Sequence, residues 1–381
     1  MITLDLNTTR LSCPHYVPIS EPLFIYTNNQ QGPRTMNKLD RRSFLASTGA
    51  ITLGAMIPGM GRAADGGFTS TVFGGVWEQN YRKAIVDGFE AATGAKVNLQ
   101  LGSSAEWLTN AIVNRAEPEI DMLMLPYPDS IKAIMADIGI ELTPEDIPNI
   151  AEIAPVWWEQ YKKRGVGLDY ASYGIAYRTD LVDQPITKWE DLFRPELAGK
   201  ISIPDIGTWG SWEMLVMLAK LRGGSEDNLE PAFEALAELK PNIRRYFTSS
   251  TDAMSMLDAG EVVAVGMTTN IPPYALIDAG KPVDFVFPEE GAMVGMVSYH
   301  IAEGAANPEL CKQFINHAIS REAQEAFCNA VIAGPVRPDA KLTGKAAERV
   351  PALDQLTLFD WFKIVPQMPM LTDRWNYEVS L

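Results

Sequence analysis

Two tryptophans, Trp77 and Trp209, each follow a glycine turn, Gly74-Gly75 in one case and Gly207 in the other. A core tryptophan is less expected in such a place. An accessible indole face attracts an alkylammonium head by cation–π interaction, worth about 0.5–2 kcal/mol, and also covers methylenes. The alternative for both is simple packing against the body of the protein. Thr208, Thr269 and Asn270 stand just before predicted helices, where their side chains serve either as ligand contacts or as ordinary N-caps. Free backbone N–H groups at Gly74-Gly75 and at 207–210 would instead suit a carboxylate or phosphonate. Arg337, in Gly334-Pro335-Val336-Arg337-Pro338, is then either the partner of that anion or a surface charge in a proline-rich loop. Trp157-Trp158 and Trp212 have helical spacing with apolar neighbours and read as core.

Catalysis finds little to work with. Beyond residue 63 the histidines are His300 and His317, and no Gly-x-Ser-x-Gly, Cys-x-x-Cys or His-Glu-x-x-His occurs. Glu289-Glu290 is a carboxylate pair, but adjacent residues point apart. Neither a nucleophile triad nor a familiar zinc site can be written down, so no catalytic role, cofactor or metal is expected. Cys311 and Cys328 lie equally far from the predicted turn of a helical hairpin over 307–330. They read either as a disulfide permitted by an oxidising compartment or as two buried thiols on the stripe Cys311, Phe314, Ile315, Ala318.

That compartment is suggested at the other end of the chain. Asp40-Arg41-Arg42-Ser43-Phe44-Leu45 precedes an uncharged, weakly apolar stretch to Gly61, with small residues Gly61 and Ala63 at the −3 and −1 positions of a peptidase site. This resembles a twin-arginine (Tat) export signal over 36–63, giving a mature start near Ala64 and a periplasmic location. Residues 1–35, proline-bearing and without periodicity, read as an extension ahead of a true start at Met36. Residues 1–63 hold six of the 32 basic but three of the 48 acidic residues, so the remainder is more acidic than the −16 of the whole chain. Such a balance excludes nucleic acid and anionic membranes as natural partners and is compatible with a cationic ligand.

The elements that must position these side chains alternate. Strands are predicted at 68–73, 96–101 and 120–125, with helices carrying Tyr81, Ile85 and Phe89 and spanning 104–116 between them. A looser stretch, 139–155, leads to further strands at 172–177, 200–203, 244–247, 261–267, 283–287 and 292–301. Helices at 211–222, 229–240, 250–258 and 272–279 fall among them. This is an α/β pattern in which ligands sit beyond the carboxyl ends of the strands.

Several segments then resemble the periplasmic solute-binding proteins of ABC importers, in the branch of spermidine and putrescine binders. They are Phe89-Glu90-Ala91-Ala92-Thr93-Gly94-Ala95-Lys96-Val97, Tyr173-Gly174-Ile175-Ala176-Tyr177-Arg178-Thr179-Asp180-Leu181-Val182, and Lys188-Trp189-Glu190-Asp191-Leu192-Phe193-Arg194-Pro195-Glu196-Leu197-Ala198-Gly199-Lys200-Ile201. Pro288-Glu289-Glu290-Gly291-Ala292 and Ala305-Ala306-Asn307-Pro308-Glu309-Leu310 complete the pattern. The resemblance implies two Rossmann-like lobes joined by a two-stranded hinge, the type 2 periplasmic binding fold. It places lobe 1 at 64–171 plus 268–304 and lobe 2 at 172–267 plus 305–381. It also implies a monomer that captures a small solute, a polyamine or related amine being favoured over a small anion, and delivers it to an inner-membrane permease or reports it to a sensor. The cleft residues expected from strand-end geometry are Trp77, Tyr127, Tyr173, Asp205, Thr208, Trp209, Thr269, Asn270 and Tyr299, with Arg337 for an anion. One departure stands out: polyamine binders usually carry an aromatic and a carboxylate where this chain has Thr268-Thr269-Asn270. Asp205 is the expected substitute anchor, with Glu213 set too far into its helix.

Overall fold

Long apolar runs fill the centre of one sheet, and its edge strands carry exposed residues. The computed structural model describes residues 66–379; the export segment and the expected mature start lie outside the described residues. The first part runs β1 (Gly67–Val72), α1 (Val76–Tyr81), α2 (Asp87–Thr93), β2 (Lys96–Leu101), α3 (Ser104–Val113), β3 (Met122–Pro126), α4 (Tyr127–Met135) and α5 (Val156–Glu159). Then come β4 (Val166–Arg178), β5 (Ile201–Pro204), α6 (Ser211–Leu221), α7 (Glu230–Leu239), β6 (Ile243–Phe247), α8 (Ser250–Asp258), β7 (Ala264–Thr269), α9 (Ile271–Asp278), β8 (Val283–Val286) and β9 (Ala292–Ile301). The chain closes with α10 (Pro308–Ala318), α11 (Arg321–Val331), β10 (Gly334–Pro335), α12 (Gly344–Arg349), β11 (Leu356–Thr357), α13 (Trp361–Ile364) and α14 (Met368–Glu378).

The strand order is β2-β1-β3-β9-β4-β7-β5-β6. Edge strand β2 has Val97 as its one buried residue, whereas all ten residues of β9 are buried. Strand β4 is the axis of the molecule. Its first part pairs antiparallel with β9 from Val166↔Tyr299 to Tyr173↔Met293, and its last part with β7 and β8. One strand thus ties the β1–β3 part of the sheet to the β5–β8 part.

Aromatic side chains show which helices belong to which part. Phe314 of α10 meets Phe68 of β1 at 5.3 Å and Phe89 of α2 at 5.0 Å between ring centroids. The expected boundary at residue 305 is therefore displaced: α10 and α11 pack with β1–β3. Conversely α9 and β8 belong with β7 and α8, around Ala176, Leu257, Val265 and Phe285. Both shifts follow from side-chain burial, since the stripe Cys311, Phe314, Ile315, Ala318 needs the apolar face that β1 and α2 present. Cys311 and Cys328 are free, buried thiols. Among the described residues no helix is long and apolar enough to cross a membrane.

His300 illustrates how polar groups are held in this core. Its Nδ1 donates to the Arg164 carbonyl at 2.8 Å and its Nε2 lies 3.0 Å from Ser298 Oγ, while burial lowers its pKa to about 4. It is a neutral structural imidazole. Asp169 on β4 is less well served, since its Oδ1 is buried without a hydrogen-bond partner among the described residues. Burial pushes this carboxyl up to about 7. A raised folded pKa stabilises below the ordinary carboxylate range, and that stability is lost as pH rises through about 7. Asp169→Asn is expected to stabilise the protein by about 1–3 kcal/mol at pH 8 and far less at pH 5. Thermal unfolding at the two pH values checks this; a lower melting temperature at pH 8 would count against it.

Candidate functional site

The carboxyl ends of β3 and β5 and the middle of β4 and β9 converge on one cavity of about 270 Å³. Strands β3 and β5 each hand the chain to a helix at this point. Pro126 ends β3 and Tyr127-Pro128-Asp129 open α4, with proline in the first turn, where its missing N–H costs nothing. After β5, the loop through Gly207, Thr208 and Trp209 ends at Gly210, whose left-handed φ of 89° starts α6. On the floor, Tyr173 of β4 lies across Gly295 of β9, where a Cβ would stand 2.8 Å from the ring.

The walls are aromatic and charged. Tyr127, Tyr173, Trp209, Trp212 and Met296 supply the apolar surface. Tyr127 bonds through its hydroxyl to Gln160 Oε1, and burial raises its pKa. Asp129 accepts from Ser104 Oγ at 2.6 Å and pairs with Lys132 Nζ at 2.8 Å. Glu213 is different. It is 3 % exposed, burial lifts its carboxyl to about 7, and the one opposing influence on it is its own backbone N–H. No basic side chain among the described residues pairs with it, and a carboxylate held out of water is stabilised by a cation beside it.

Of the ten candidates, Tyr127, Tyr173, Thr208 and Trp209 are brought together here. The others are engaged elsewhere. Trp77 stacks on Tyr81 at 5.2 Å and meets Phe327 edge-on, and Tyr299 is fully buried with its hydroxyl 2.8 Å from that of Tyr81. Asp205 accepts from Trp375 Nε1 at 3.0 Å and from the Ile206 amide at 2.8 Å. Thr269 ends β7 opposite Tyr173 and is not on the cavity wall. Asn270 is buried and donates to the carbonyls of Ile332 at 3.2 Å and Arg349 at 3.4 Å, a cross-tie at the hinge. Arg337 is held by Asp339 at 2.8 Å and by Asn149 at 3.2 Å, beside a separate recess. Asp129, Lys132 and Ser104 were not among the candidates, and Trp212, expected in the core, lines the cavity instead. Glu213 had been set aside for its depth in the helix.

A family model for bacterial extracellular solute-binding proteins matches residues 84–353, more than half of the chain. The chain belongs to that family. This solute-binding protein is 26% identical over 274 residues to the "Spermidine/putrescine-binding periplasmic protein 1" of Haemophilus influenzae, covering 68% of this chain and 74% of the relative. It is 24% identical over 292 residues to the Escherichia coli "Spermidine/putrescine-binding periplasmic protein", covering 74% and 81%. Among solved structures, an ABC transporter protein from Clostridium perfringens superposes with a TM-score of 0.74 at 28% identity, covering 82% of this chain and 99% of the other. The solute-binding protein is thus the capturing component of an ABC transporter, with the two-lobe α/β fold that the sequence resemblance implied. These relatives are transport binding proteins that work in the periplasm or outside the cell.

Gly210 fixes the geometry of the site. A Cβ there would lie 2.8 Å from the Met267 carbonyl oxygen and 3.1 Å from the Tyr173 ring, at a φ that side chains rarely adopt. Gly210→Ala is expected to cost about 1–3 kcal/mol of stability and to weaken solute binding by displacing Tyr173. Thermal unfolding and calorimetry check the pair; an unchanged melting temperature and affinity would contradict it.

Proposed function

We propose that the protein captures a small organic amine in the periplasm, the class to which the spermidine and putrescine of its relatives' names belong, and hands it to an inner-membrane ABC permease. The observation that carries this reading is Glu213, a buried carboxyl with no basic side chain paired to it among the described residues, on the wall of a cavity lined by Tyr127, Tyr173, Trp209 and Trp212. An ammonium supplies the missing charge, and aromatic faces supply cation–π attraction and cover for methylenes. No bond is made or broken in this role.

On this reading the first lobe comprises β1–β3, α1–α4, the end of β9 and the pair α10–α11. The second comprises β5–β8, α6–α9 and α14, whose Trp375 meets Tyr246 at 5.5 Å and whose Arg374 reaches Glu230 Oε1 at 2.8 Å. Solute held between Tyr127 on one side and Glu213 on the other favours the closed arrangement, because it touches both lobes only there. The protein acts as a monomer after export through the twin-arginine route, directed by Arg41-Arg42. Titration calorimetry at pH 8 with putrescine, spermidine, butylamine and 4-aminobutyrate tests the reading. Binding of at least one is expected, and binding of none would overturn it.

A further inference from the structure

Phe73 and Trp209 meet although the order of the sheet sets them far apart. Phe73 directly follows β1, and Trp209 lies in the loop between β5 and α6. Strands β3, β9, β4 and β7 stand between β1 and β5. At about 4.8 Å per strand, the separation across a flat sheet is roughly 24 Å. The two rings nevertheless touch edge to face, with centroids 5.8 Å apart. The β1–β3 and β5–β8 parts therefore curl toward each other here, and the contact crosses between them.

Each ring is held on its own side. Phe73 packs against Trp107 at 5.3 Å and Trp77 at 5.9 Å. Trp209 is 46 % exposed and stands between Gly207 and Gly210, whose φ angles of 81° and 89° shape the loop. Asp205, at the start of that loop, accepts from Trp375 Nε1 of α14 and ties it to its own lobe. Trp209 lines the cavity, whereas Phe73 does not. A contact made only when the lobes are together raises the closed fraction, and apparent affinity scales with the fraction competent to bind.

We infer that Phe73 is a positioning residue for solute capture, holding the Trp209 indole at the cavity and the two lobes together without itself touching solute. This rests on the two-lobe capture reading above and adds to it a latch that the solute does not supply.

Calorimetry at pH 8 with putrescine, spermidine, butylamine and 4-aminobutyrate, on the unaltered protein and on Phe73→Ala, Trp209→Ala and the double variant, tests the latch. Phe73→Ala is expected to weaken binding by about 2- to 10-fold, the range of an aromatic pair. Phe73→Tyr keeps the ring and the affinity. Phe73→Leu keeps bulk against Trp107 and gives a loss in the same direction should the alanine variant fold poorly. Once Trp209→Ala is in place, Phe73→Ala is expected to cost nothing further, because the two substitutions remove one contact. Equal losses from Phe73→Ala in both backgrounds, or no loss in either, overturn the inference and leave the amine reading standing. If none of the four compounds binds, the amine reading falls and acrylamide quenching of the Trp209 emission decides the latch, taken in each background as the difference from the same protein carrying Trp209→Phe. Phe73→Ala is expected to raise that quenching, and unchanged quenching overturns the inference.

Discussion

Glu213→Gln is expected to remove high-affinity amine binding while making the unliganded protein more stable. The substitution keeps shape and volume but takes away the charge that an ammonium would pair with at a buried position on the cavity wall. Losing one partner of a buried, hydrogen-bonded charge pair costs about 2–5 kcal/mol, or roughly 30- to 5,000-fold in affinity. The stability effect runs the other way. Burial raises the Glu213 carboxyl to about 7 from its ordinary value of 4.5, so keeping it ionised at pH 8 in the empty protein costs about 3 kcal/mol. Glutamine avoids that cost. A variant that melts higher and binds worse cannot be dismissed as misfolded. Equal affinity in calorimetry, or a lower melting temperature at pH 8, would sink the assignment of Glu213 as the anchor.

Amine affinity should fall steeply on acidification. With the carboxyl titrating near 7 in the empty site and the ammonium charged throughout, binding at pH 5 must release about one proton from Glu213. Affinity then drops about tenfold for each pH unit below 7, so that pH 5 and pH 8 differ by about 100-fold. The empty protein shows the opposite trend. Both Glu213 and Asp169 have raised folded pKa values, so both contribute stability that is present below the ordinary carboxylate range and lost as pH rises through about 7. Asp169 lies on β4 away from the cavity wall, so Asp169→Asn should flatten the stability profile and leave the affinity profile unchanged. Calorimetry across pH 5–8 reads the affinity slope directly; a flat profile would contradict a buried acid as the anchor.

Much of the fold was legible because its central strands are continuous apolar runs. The runs at 120–125 and 292–301 correspond to β3 and β9, and the stripe Cys311, Phe314, Ile315, Ala318 marks α10. Helix α4 was not legible. No element was predicted between the strand at 120–125 and the looser stretch from 139, where Pro128 occupies the first turn of a helix. With α4 went Asp129 and Lys132. The first half of β4 was also missed, because Val166–Ala171 draws its partners from β9, over 120 residues away.

The site candidates divided along the same line. Trp209 and Thr208 follow a strand end and a glycine turn, and they do reach the cavity. Trp77 has the same local signature but is covered by Tyr81 and Phe327, which no local pattern announces. Glu213 was passed over as lying too far into its helix, although that helix was predicted to start at residue 211. Helix α6 does start at Ser211, after Gly210 in the left-handed region, and Glu213 therefore stands in the first turn, beside the cavity.

The central claim is that the ammonium of the solute pairs with Glu213, and a crystal structure of the protein with its bound amine tests it most directly. The ammonium nitrogen is expected within about 2.7–3.2 Å of the Glu213 carboxylate, with Tyr173 and Trp209 against its methylenes. An amine found in the cavity but turned away from Glu213, or held at another place altogether, would contradict the account.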